Sequence, residues 1–365
     1  MPGRVPLARR NLLAEPRRLA ASAAGVGMAI MLILLLDGLW AGIEANITTY
    51  EDHVGADLYI AQPGTRNFFG AVSVLPADTV DTVRADPDVD WAVAVRGFFS
   101  IVELHATKVP TYVIGSTPGE RGGPWELRQG RAPRADDEVA VGSVMARRHG
   151  LDVGDQLEIM GRAFTIVGTS TDAFMASFVF MTHPATDALL SSAGTTSFVL
   201  VGTDNPTAVR GRLAATGLSV LDRDQLARAD LDLMARAYRV PLAVMRGVAF
   251  AIGSLVIALT AYTAIADRRR EYGIVKAMGA GGARLAALAV EQTLLIAVAG
   301  VGAGGLLFVV GRAIIGWARP QFVILVSAGS VGRAVAAGLL MGVVAALVPA
   351  RRLARLEPAA AYREG

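Results

Sequence analysis

The sequence of 365 residues contains no cysteine, and charged residues make up only 18% of it. The absence of cysteine excludes a disulfide framework, a thiolate metal site and a catalytic cysteine. Lysine is almost missing too, and neither Lys108 nor Lys276 stands in the G-x-x-x-x-G-K-[ST] context of a phosphate-binding loop. We therefore predict that this chain is not an enzyme and does not hydrolyse ATP by itself.

Hydrophobic residues, by contrast, make up 53% of the chain, and the mean hydropathy is +0.45. Such a sequence is too apolar for one ordinary soluble domain. A helix that spans a bilayer needs about 20 mostly apolar residues, and four segments provide them. The first holds 18 uncharged residues from Leu19 to Leu36, which is too long a run for the core of a signal peptide and predicts an uncleaved anchor.

Basic residues predict how the four spans are oriented. They cluster before the first span, between the second and third, and after the fourth, so all three clusters fall on one side, which the positive-inside bias makes cytoplasmic. We therefore expect a multi-pass protein of the cytoplasmic (inner) membrane with both termini in the cytoplasm. The clusters are Arg4, Arg9, Arg10, Arg17 and Arg18; Arg268, Arg269, Arg270, Lys276 and Arg284; and Arg351, Arg352 and Arg355.

The net charge of +3 hides two opposite halves. Residues 44–239 carry 17 basic and 25 acidic residues, a net of −8, while the rest of the chain carries 18 and 7, a net of +11. The basic half suits the anionic lipid of a cytoplasmic leaflet. Since the acidic half offers no basic face, nucleic acid is not an expected partner.

The long polar segment between the first two spans predicts a domain of its own. Runs rich in Val, Ile, Phe and Tyr alternate there with Gly, Pro and Asp, as in strands and turns. A short helix is expected to end at Gly150, and a hairpin is expected to turn at Met160 and Gly161. The strand-like runs are 56–62, 91–104, 110–116, 155–170 and 196–203.

Both ends of this domain are predicted to be helical, either as rigid stalks that continue the membrane helices or as two ordinary amphipathic helices. Apolar residues at spacings of four, three and four follow the first span, and charges of alternating sign recur every four residues before the second. Asp37, near the outer end of the first span, is expected to reach interfacial water. The two stalk patterns are Ile43, Ile47, Tyr50 and Val54, and Asp224, Arg228, Asp232 and Arg236.

The segment DRRREYGIVKAMGAGGA, residues 267–283, joins the second and third spans. It predicts a short helix with an apolar side at Ile274, Val275 and Met278 and a polar side that includes Glu271. Glycines then allow a sharp turn into the bilayer. Two interpretations stay open: a basic helix lying on lipid headgroups, or a helix that docks to a cytoplasmic partner.

Several stretches resemble one family, the FtsX-like permeases of the MacB and LolC type. RRREYGIVKAMGAGGARLAALAVEQTLLIAVAGVGAGG resembles its charged run, its E-[IY]-G-[IV]-[LV]-[KR]-A-[LM]-G-A motif and the glycine-rich helix that follows. GVVAALVPARRLARLEPAAAYREG resembles its C-terminal ending, ARRNLLAEPRRLAASAAGVGMAI its amphipathic first helix, and RRHGLDVGDQLEIMGRAFTIVG part of its outer core domain. The similarity extends over the whole chain.

The resemblance implies the permease subunit of a mechanotransmission (type VII) ABC transporter. It implies a homodimer or heterodimer of permeases, each with four membrane helices and a MacB-like core domain, paired with two copies of a cytoplasmic ATPase. ATP and magnesium would belong to that ATPase, and this chain would hold no cofactor and no metal. The residues that the motif places in the helix coupled to the ATPase are Arg270, Glu271, Gly273, Ile274, Lys276, Ala277, Met278 and Gly279.

Small residues recur on the third and fourth spans and allow helices to approach closely. They predict either packing within one subunit or a dimer contact. The residues are Gly300, Gly304, Ala334, Gly338, Gly342 and Ala346.

The segment ADLYIAQPGTRNFFGAVSVLP resembles the compact exporters, including DevC-like and haem-exporter permeases. A hydrophobic or amphiphilic substrate is therefore expected. The alternative is an FtsX-like transducer that activates an extracellular cell-wall hydrolase and moves no solute, with TRNFFGAV as its apolar docking patch. Candidate substrate ligands are Met31, Tyr50, His53 and Met245.

Taken together, these segments predict an α-helical membrane protein with four transmembrane helices and an extracytoplasmic α+β domain inserted between helices 1 and 2. The segments are 1–43, a cytoplasmic lead-in helix and helix 1; 44–240, the outer domain with its stalks; 241–266, helix 2; 267–284, the coupling helix; 285–311, helix 3; 312–330, an outer loop; 331–350, helix 4; and 351–365, a cytoplasmic tail.

Overall fold

The computed structural model describes residues 16–70, 72–105, 107–172, 177–319 and 322–354, with Arg269 described by its backbone alone. The predicted lead-in helix before Pro16 and the tail from residue 355 lie outside the described residues. The helices are α1 (Pro16–Asn46), α2 (Thr49–Val54), α3 (Thr79–Arg84), α4 (Ser143–His149), α5 (His183–Leu190), α6 (Pro206–Ala214), α7 (Arg223–Asp267), α8 (Arg269–Ala277), α9 (Gly282–Ala318) and α10 (Ala328–Ala354).

The strands complete the order of elements along the chain. They are β1 (Leu58–Ala61), β2 (Leu75–Pro76), β3 (Trp91–Leu104), β4 (Thr107–Ser116), β5 (Leu127–Gly130), β6 (Glu138–Gly142), β7 (Gln156–Ile159), β8 (Arg162–Ser170), β9 (Ser177–Thr182), β10 (Thr195–Thr196), β11 (Phe198–Gly202) and β12 (Ser219–Asp222).

Among the described residues, four helices, α1, α7, α9 and α10, are long and apolar enough to cross a membrane. This confirms the predicted fold class of four spans with an α+β domain after the first. The third of these helices runs past the expected end of its span at 311 to Ala318, and the fourth begins at Ala328.

The chain divides into two compact units. The membrane unit consists of the described residues of 1–41, 239–318 and 324–365. Its core contains Val26 and Ile30 of α1, Ile296 and Ala297 of α9 and Met341 of α10, which are all 0% exposed. The interior of this unit is thus made from side chains of several spans, while much of the remaining apolar surface is exposed, as lipid-facing helices require.

The second unit, built around residues 42–238, is the α+β domain. Its main sheet has the strand order β12-β1-β11-β3-β4-β9-β6-β8-β5, with β7 paired to β8. Most neighbours are antiparallel, but β4 pairs with β9 and β6 with β8 in parallel. A separate two-stranded sheet joins β10 and β2.

Two neighbouring strands of this sheet are also the places where the domain connects to long helices. β1 follows α2, and β12 leads directly into α7. The two strands are antiparallel, with Leu58 opposite Asp222 and Ala61 opposite Ser219. Both connections therefore leave from the same end of this strand pair.

Local turns follow the sequence as predicted. Gly150, at φ 64°, caps α4 in the left-handed conformation that glycine adopts without a Cβ clash. Met160 and Gly161, at φ 51° and 80°, form the two-residue turn between β7 and β8. Two positive φ angles at the centre of a hairpin match the right-handed twist of the strands.

The domain core is rich in stacked aromatic rings. Phe68 lies between Tyr50 and Phe198, with ring centroids 5.0 and 4.7 Å apart, and Phe178 packs nearby against Phe180 at 5.6 Å. All five rings are no more than 1% exposed. The residues Ile43, Ile47, Tyr50 and Val54 are all buried, whereas Asp224, Arg228, Asp232 and Arg236 are exposed. The stalk predicted after the first span is interrupted between Asn46 and Thr49, while α7 is continuous.

Candidate functional site

The short helix α8 between the second and third spans is the candidate site, and its end is defined by glycine. Gly279 has φ +97°. Its N–H donates to the Lys276 carbonyl at 3.0 Å, and the Ala280 N–H donates to the Val275 carbonyl at 3.2 Å. This pair of bonds is the Schellman arrangement, which needs a left-handed residue after the helix. The predicted glycine turn is thereby present.

One face of α8 is anchored to the membrane helices. Tyr272 is 5% exposed and packs in a cluster with Ile265, Leu285, Ala289 and Leu353. Its hydroxyl oxygen accepts a hydrogen bond from Nε2 of Gln292 on α9, at 3.3 Å. A second tie forms where Lys276 Nζ donates to the carbonyl of Ala354 at 3.0 Å. The helix is thus fixed to the ends of three spans.

The opposite face of α8 is exposed. The Glu271 side chain is 66% exposed, Ile274 is 40% and Met278 is 75% exposed. Spacings of three and four residues place these side chains on one stripe of the helix. Arg268 approaches Glu271 at 3.7 Å along the same helix. An exposed stripe with two large apolar side chains beside a carboxylate is a surface suited to protein contact.

The eight predicted coupling residues therefore separate into two groups. Gly273 is buried on the anchored face, and Lys276 is half-buried through its bond to Ala354. The remaining residues are exposed: Arg270, Glu271, Ile274, Ala277, Met278 and Gly279. The sequence analysis did not identify Tyr272 as the anchor of α8. Val275 lies three residues away and is partly buried in the same cluster, so this spacing could have indicated the anchored face.

The small residues of the third and fourth spans pack within the chain. A Cβ on Gly300 would lie 2.4 Å from Val26, one on Gly304 2.6 Å from Ile30, and one on Gly338 2.4 Å from Val301. A Cβ on Gly342 would lie 3.0 Å from Ala297. Ala334 and Ala346 are each 2% exposed. The four glycines thus lie close to other helices of the same chain, as the packing interpretation expects, and a dimer contact stays a prediction.

The candidate substrate ligands belong to two different units, Tyr50 and His53 to the α+β domain and Met31 and Met245 to the membrane unit. Tyr50 is fully buried, and its hydroxyl donates to the Gly122 carbonyl at 2.9 Å. His53 stacks on Trp125 at 5.2 Å. Met31 is half-buried in the membrane unit, where Met245 is 46% exposed. Each side chain has a packing or surface role in its own unit.

Part of the segment TRNFFGAV is turned into the core of the α+β domain. Phe68 is 0% exposed, and Phe69 is half-buried against the same core. The backbone N–H groups of Phe68 and Phe69 donate to the carboxylate of Asp230 at 2.9 and 3.0 Å. An acceptor distant in sequence therefore holds the two rings inward, while Val72 of the same segment is 83% exposed.

Two family models match this chain. The family model described as the MacB-like periplasmic core domain matches residues 19–216, more than half of the chain. A second model, the FtsX-like permease C-terminal, matches residues 243–358, which include α8.

Relatives match over nearly the whole length. An uncharacterized ABC transporter permease of Mycobacterium tuberculosis is 24% identical over 363 residues, covering 97% of both chains. One from Mycobacterium bovis is 25% identical over 360 residues, again with 97% of each covered. Among solved structures, the periplasmic region of MacB from Actinobacillus actinomycetemcomitans aligns with TM-score 0.37 and 12% identity, over 49% of this chain and 94% of that one. The extracellular domain of the transporter YknZ from Gram-positive bacteria gives the same two values, over 46% and 100%.

Proposed function

This chain belongs to the FtsX-like, MacB-type family of ABC transporter permeases, and we propose that the exposed face of α8 is where a separate cytoplasmic ATPase subunit docks. Closure of the ATPase would then move α8 together with the span ends to which Tyr272 ties it. The chain would act as a mechanotransmission permease and leave ATP hydrolysis to its partner.

The two-sided geometry of α8 carries this proposal. A helix that lay on anionic headgroups would present cations outward, and each would contribute about 1 kcal/mol near such a surface. Here the exposed residues are one cation, Arg270, one carboxylate, Glu271, and the apolar side chains of Ile274 and Met278. A carboxylate is repelled by anionic lipid, while a protein groove can pair it and cover the apolar groups. The docking interpretation is therefore favoured over the lipid-surface one.

The rest of the assembly is proposed on the same basis. Two permease copies, identical or different, would pair with two ATPase copies that hold ATP and magnesium. The arginine clusters support a cytoplasmic position for α8 and for both termini, in the cytoplasmic membrane. The apolar surface of the spans supports a hydrophobic or amphiphilic substrate that is exported or extracted from the membrane or its outer side.

Two substitutions on the exposed stripe test the docking face. We expect Glu271→Lys and Met278→Ser together to lower co-purification with the ATPase and its stimulation at least about tenfold, because a reversed charge in a desolvated contact costs about 2 to 5 kcal/mol. Glu158→Lys and Met160→Ser, at similarly exposed positions in the β7–β8 hairpin, are matched controls that should leave both properties unchanged. Normal association and turnover in the α8 variants would refute the docking role.

A further inference from the structure

A buried carboxylate on α1 contacts two other membrane helices, α7 and α10. It lies near the end of α1 that leads into the α+β domain. Asp37 of α1 has a side chain only 4% exposed. Its Oδ1 accepts from Nη1 of Arg246 on α7 at 2.7 Å, and its Oδ2 accepts from Nε of Arg333 on α10 at 2.9 Å. The expectation that Asp37 reaches water is wrong, because two arginines distant in sequence cover it.

The cluster has more positive charge than the carboxylate requires. One arginine would neutralise Asp37, yet two are present, so the group carries a net positive charge. Both guanidinium groups also remain accessible, with Arg246 38% and Arg333 64% exposed. An arginine has about five N–H donors, and the bonds to Asp37 use one from each. The remaining donors point to an additional anionic acceptor.

The depth of the cluster suggests which anion is available. Asp37 lies 19 residues after Arg18, which is near the start of α1. Nη1 of Arg18 pairs there with the carboxylate of Asp267, the last residue of α7, at 2.7 Å. At about 1.5 Å per residue the two levels are about 29 Å apart, close to the thickness of the hydrocarbon core, about 30 Å. The cluster is thus placed at the level of lipid headgroups, where phosphates lie.

An exposed apolar stripe continues from Arg333 along α10 toward the membrane interior. Leu340, Val344 and Leu347, which follow Arg333 on the same face of the helix, are 54%, 40% and 52% exposed. A cationic group followed by an apolar stripe matches the two parts of a phospholipid, whereas free phosphate would use only the first.

We propose that Arg246 and Arg333 bind the phosphate of an anionic phospholipid whose acyl chains lie along the exposed stripe of α10. Asp37 is the positioning residue of this site, because it holds the two guanidinium groups side by side. Arginine suits the role since its planar donors match phosphate oxygens bidentately. The site would bind this lipid whether or not an ATPase docks on α8.

Lipid retention measures the site directly. The full chain, delipidated in detergent, would be given equal amounts of phosphatidylglycerol and phosphatidylcholine, and the bound lipids would be counted by native mass spectrometry. Arg333→Gln leaves the Asp37–Arg246 pair intact and should lower the preference for phosphatidylglycerol about fivefold, the factor that corresponds to roughly 1 kcal/mol per arginine at a membrane surface. Arg312→Gln, an exposed arginine on α9, should have no effect.

A triple variant without charges at the site controls for misfolding caused by an unpaired buried charge. Asp37→Asn with Arg246→Gln and Arg333→Gln leaves no unpaired buried charge, so it should fold and lose the preference altogether. An unchanged preference in the triple variant, or an equal loss in Arg312→Gln, would overturn the proposal. So would inorganic phosphate, at the same phosphate concentration, displacing the lipid completely, because that result would identify a site for an anion only.

Discussion

Replacing Gly279 gives a graded test of how strongly coupling to the ATPase depends on the turn at the end of α8. The φ of +97° at Gly279 lies in a region that L side chains rarely adopt. No atom lies within 4 Å of a Cβ placed there, so space is available and backbone conformation alone makes the difference. We expect coupling to decline in the order Gly, Asn, Ala, Val, because Asn tolerates positive φ best among other residues and a β-branched side chain tolerates it least.

The magnitude follows from the left-handed penalty. A residue with a Cβ loses roughly 1–2 kcal/mol in this region, so Gly279→Ala would shift the local equilibrium away from the Schellman turn by a factor of about 5 to 30. The two hydrogen bonds of Gly279 and Ala280 would be lost with the turn. Since α8 is tied to the span ends through Tyr272, a changed exit should alter the orientation of its exposed stripe.

The measurement is ATPase stimulation by the permease in proteoliposomes, with association followed in parallel by co-purification. Gly281→Ala is a matched control two residues away, because Gly281 also has nothing within 4 Å of an added Cβ but has no positive φ. The expected result is a loss of stimulation of about fivefold or more in Gly279→Ala and little change in Gly281→Ala. Equal effects at the two glycines, or wild-type stimulation in Gly279→Val, would refute the reasoning.

Two further predictions concern the α+β domain. Arg131 donates from Nη1 to the Glu138 carboxylate at 2.7 Å and holds the pKa of Glu138 at about 2. The carboxylate therefore stabilises the fold fully above its ordinary pKa of 4.5, and this stabilisation is lost as the pH falls through the lowered value. Arg131→Gln should flatten the acid dependence of the thermal midpoint only modestly, because the arginine is nearly half exposed and water screens the pair; an unchanged pH profile would contradict this prediction. Asp230→Ala should release the loop that contains Phe68 and speed its cleavage in limited proteolysis, because the buried N–H groups left unpaired would cost about 1–3 kcal/mol of stability. Asp232→Ala, at an exposed position, should not change the cleavage rate. Equal cleavage rates in the two variants would contradict this prediction.

The sequence was sufficient for features that depend on neighbours along the chain. Four spans follow from composition and length, and the 91–104 strand follows from its β-branched and aromatic content and has the predicted bounds. The Gly150 cap and the Met160 turn depend on conformational preferences of a few residues. Such local preferences need no knowledge of the rest of the fold.

Features that depend on distant partners could not be read in the same way. The two partners of Asp37 are 209 and 296 residues away, so its burial could not be inferred from its position near a helix end. Likewise, the acceptor of the Phe68 N–H is 162 residues further along the chain. For the candidate site, the helix and its glycine end were predictable from the motif. The sequence analysis placed Glu271 on a different side from Ile274 and Met278, whereas all three are exposed on one stripe. The anchoring role of Tyr272 depended on packing against three other helices.

The pairing of β1 with β12 determines how the domain would respond to tension. α2 and α7 attach at the same end of this antiparallel pair. A force that pulled the two helices apart would therefore load the hydrogen bonds between β1 and β12 one after another, beginning at Leu58 and Asp222. Bonds loaded singly yield at lower force than bonds loaded together in shear. The Arg223–Asp52 ion pair lies across this open end and would be the first contact to break. The sheet edge is therefore a place where small, reversible opening can absorb mechanical work while the aromatic core stays folded.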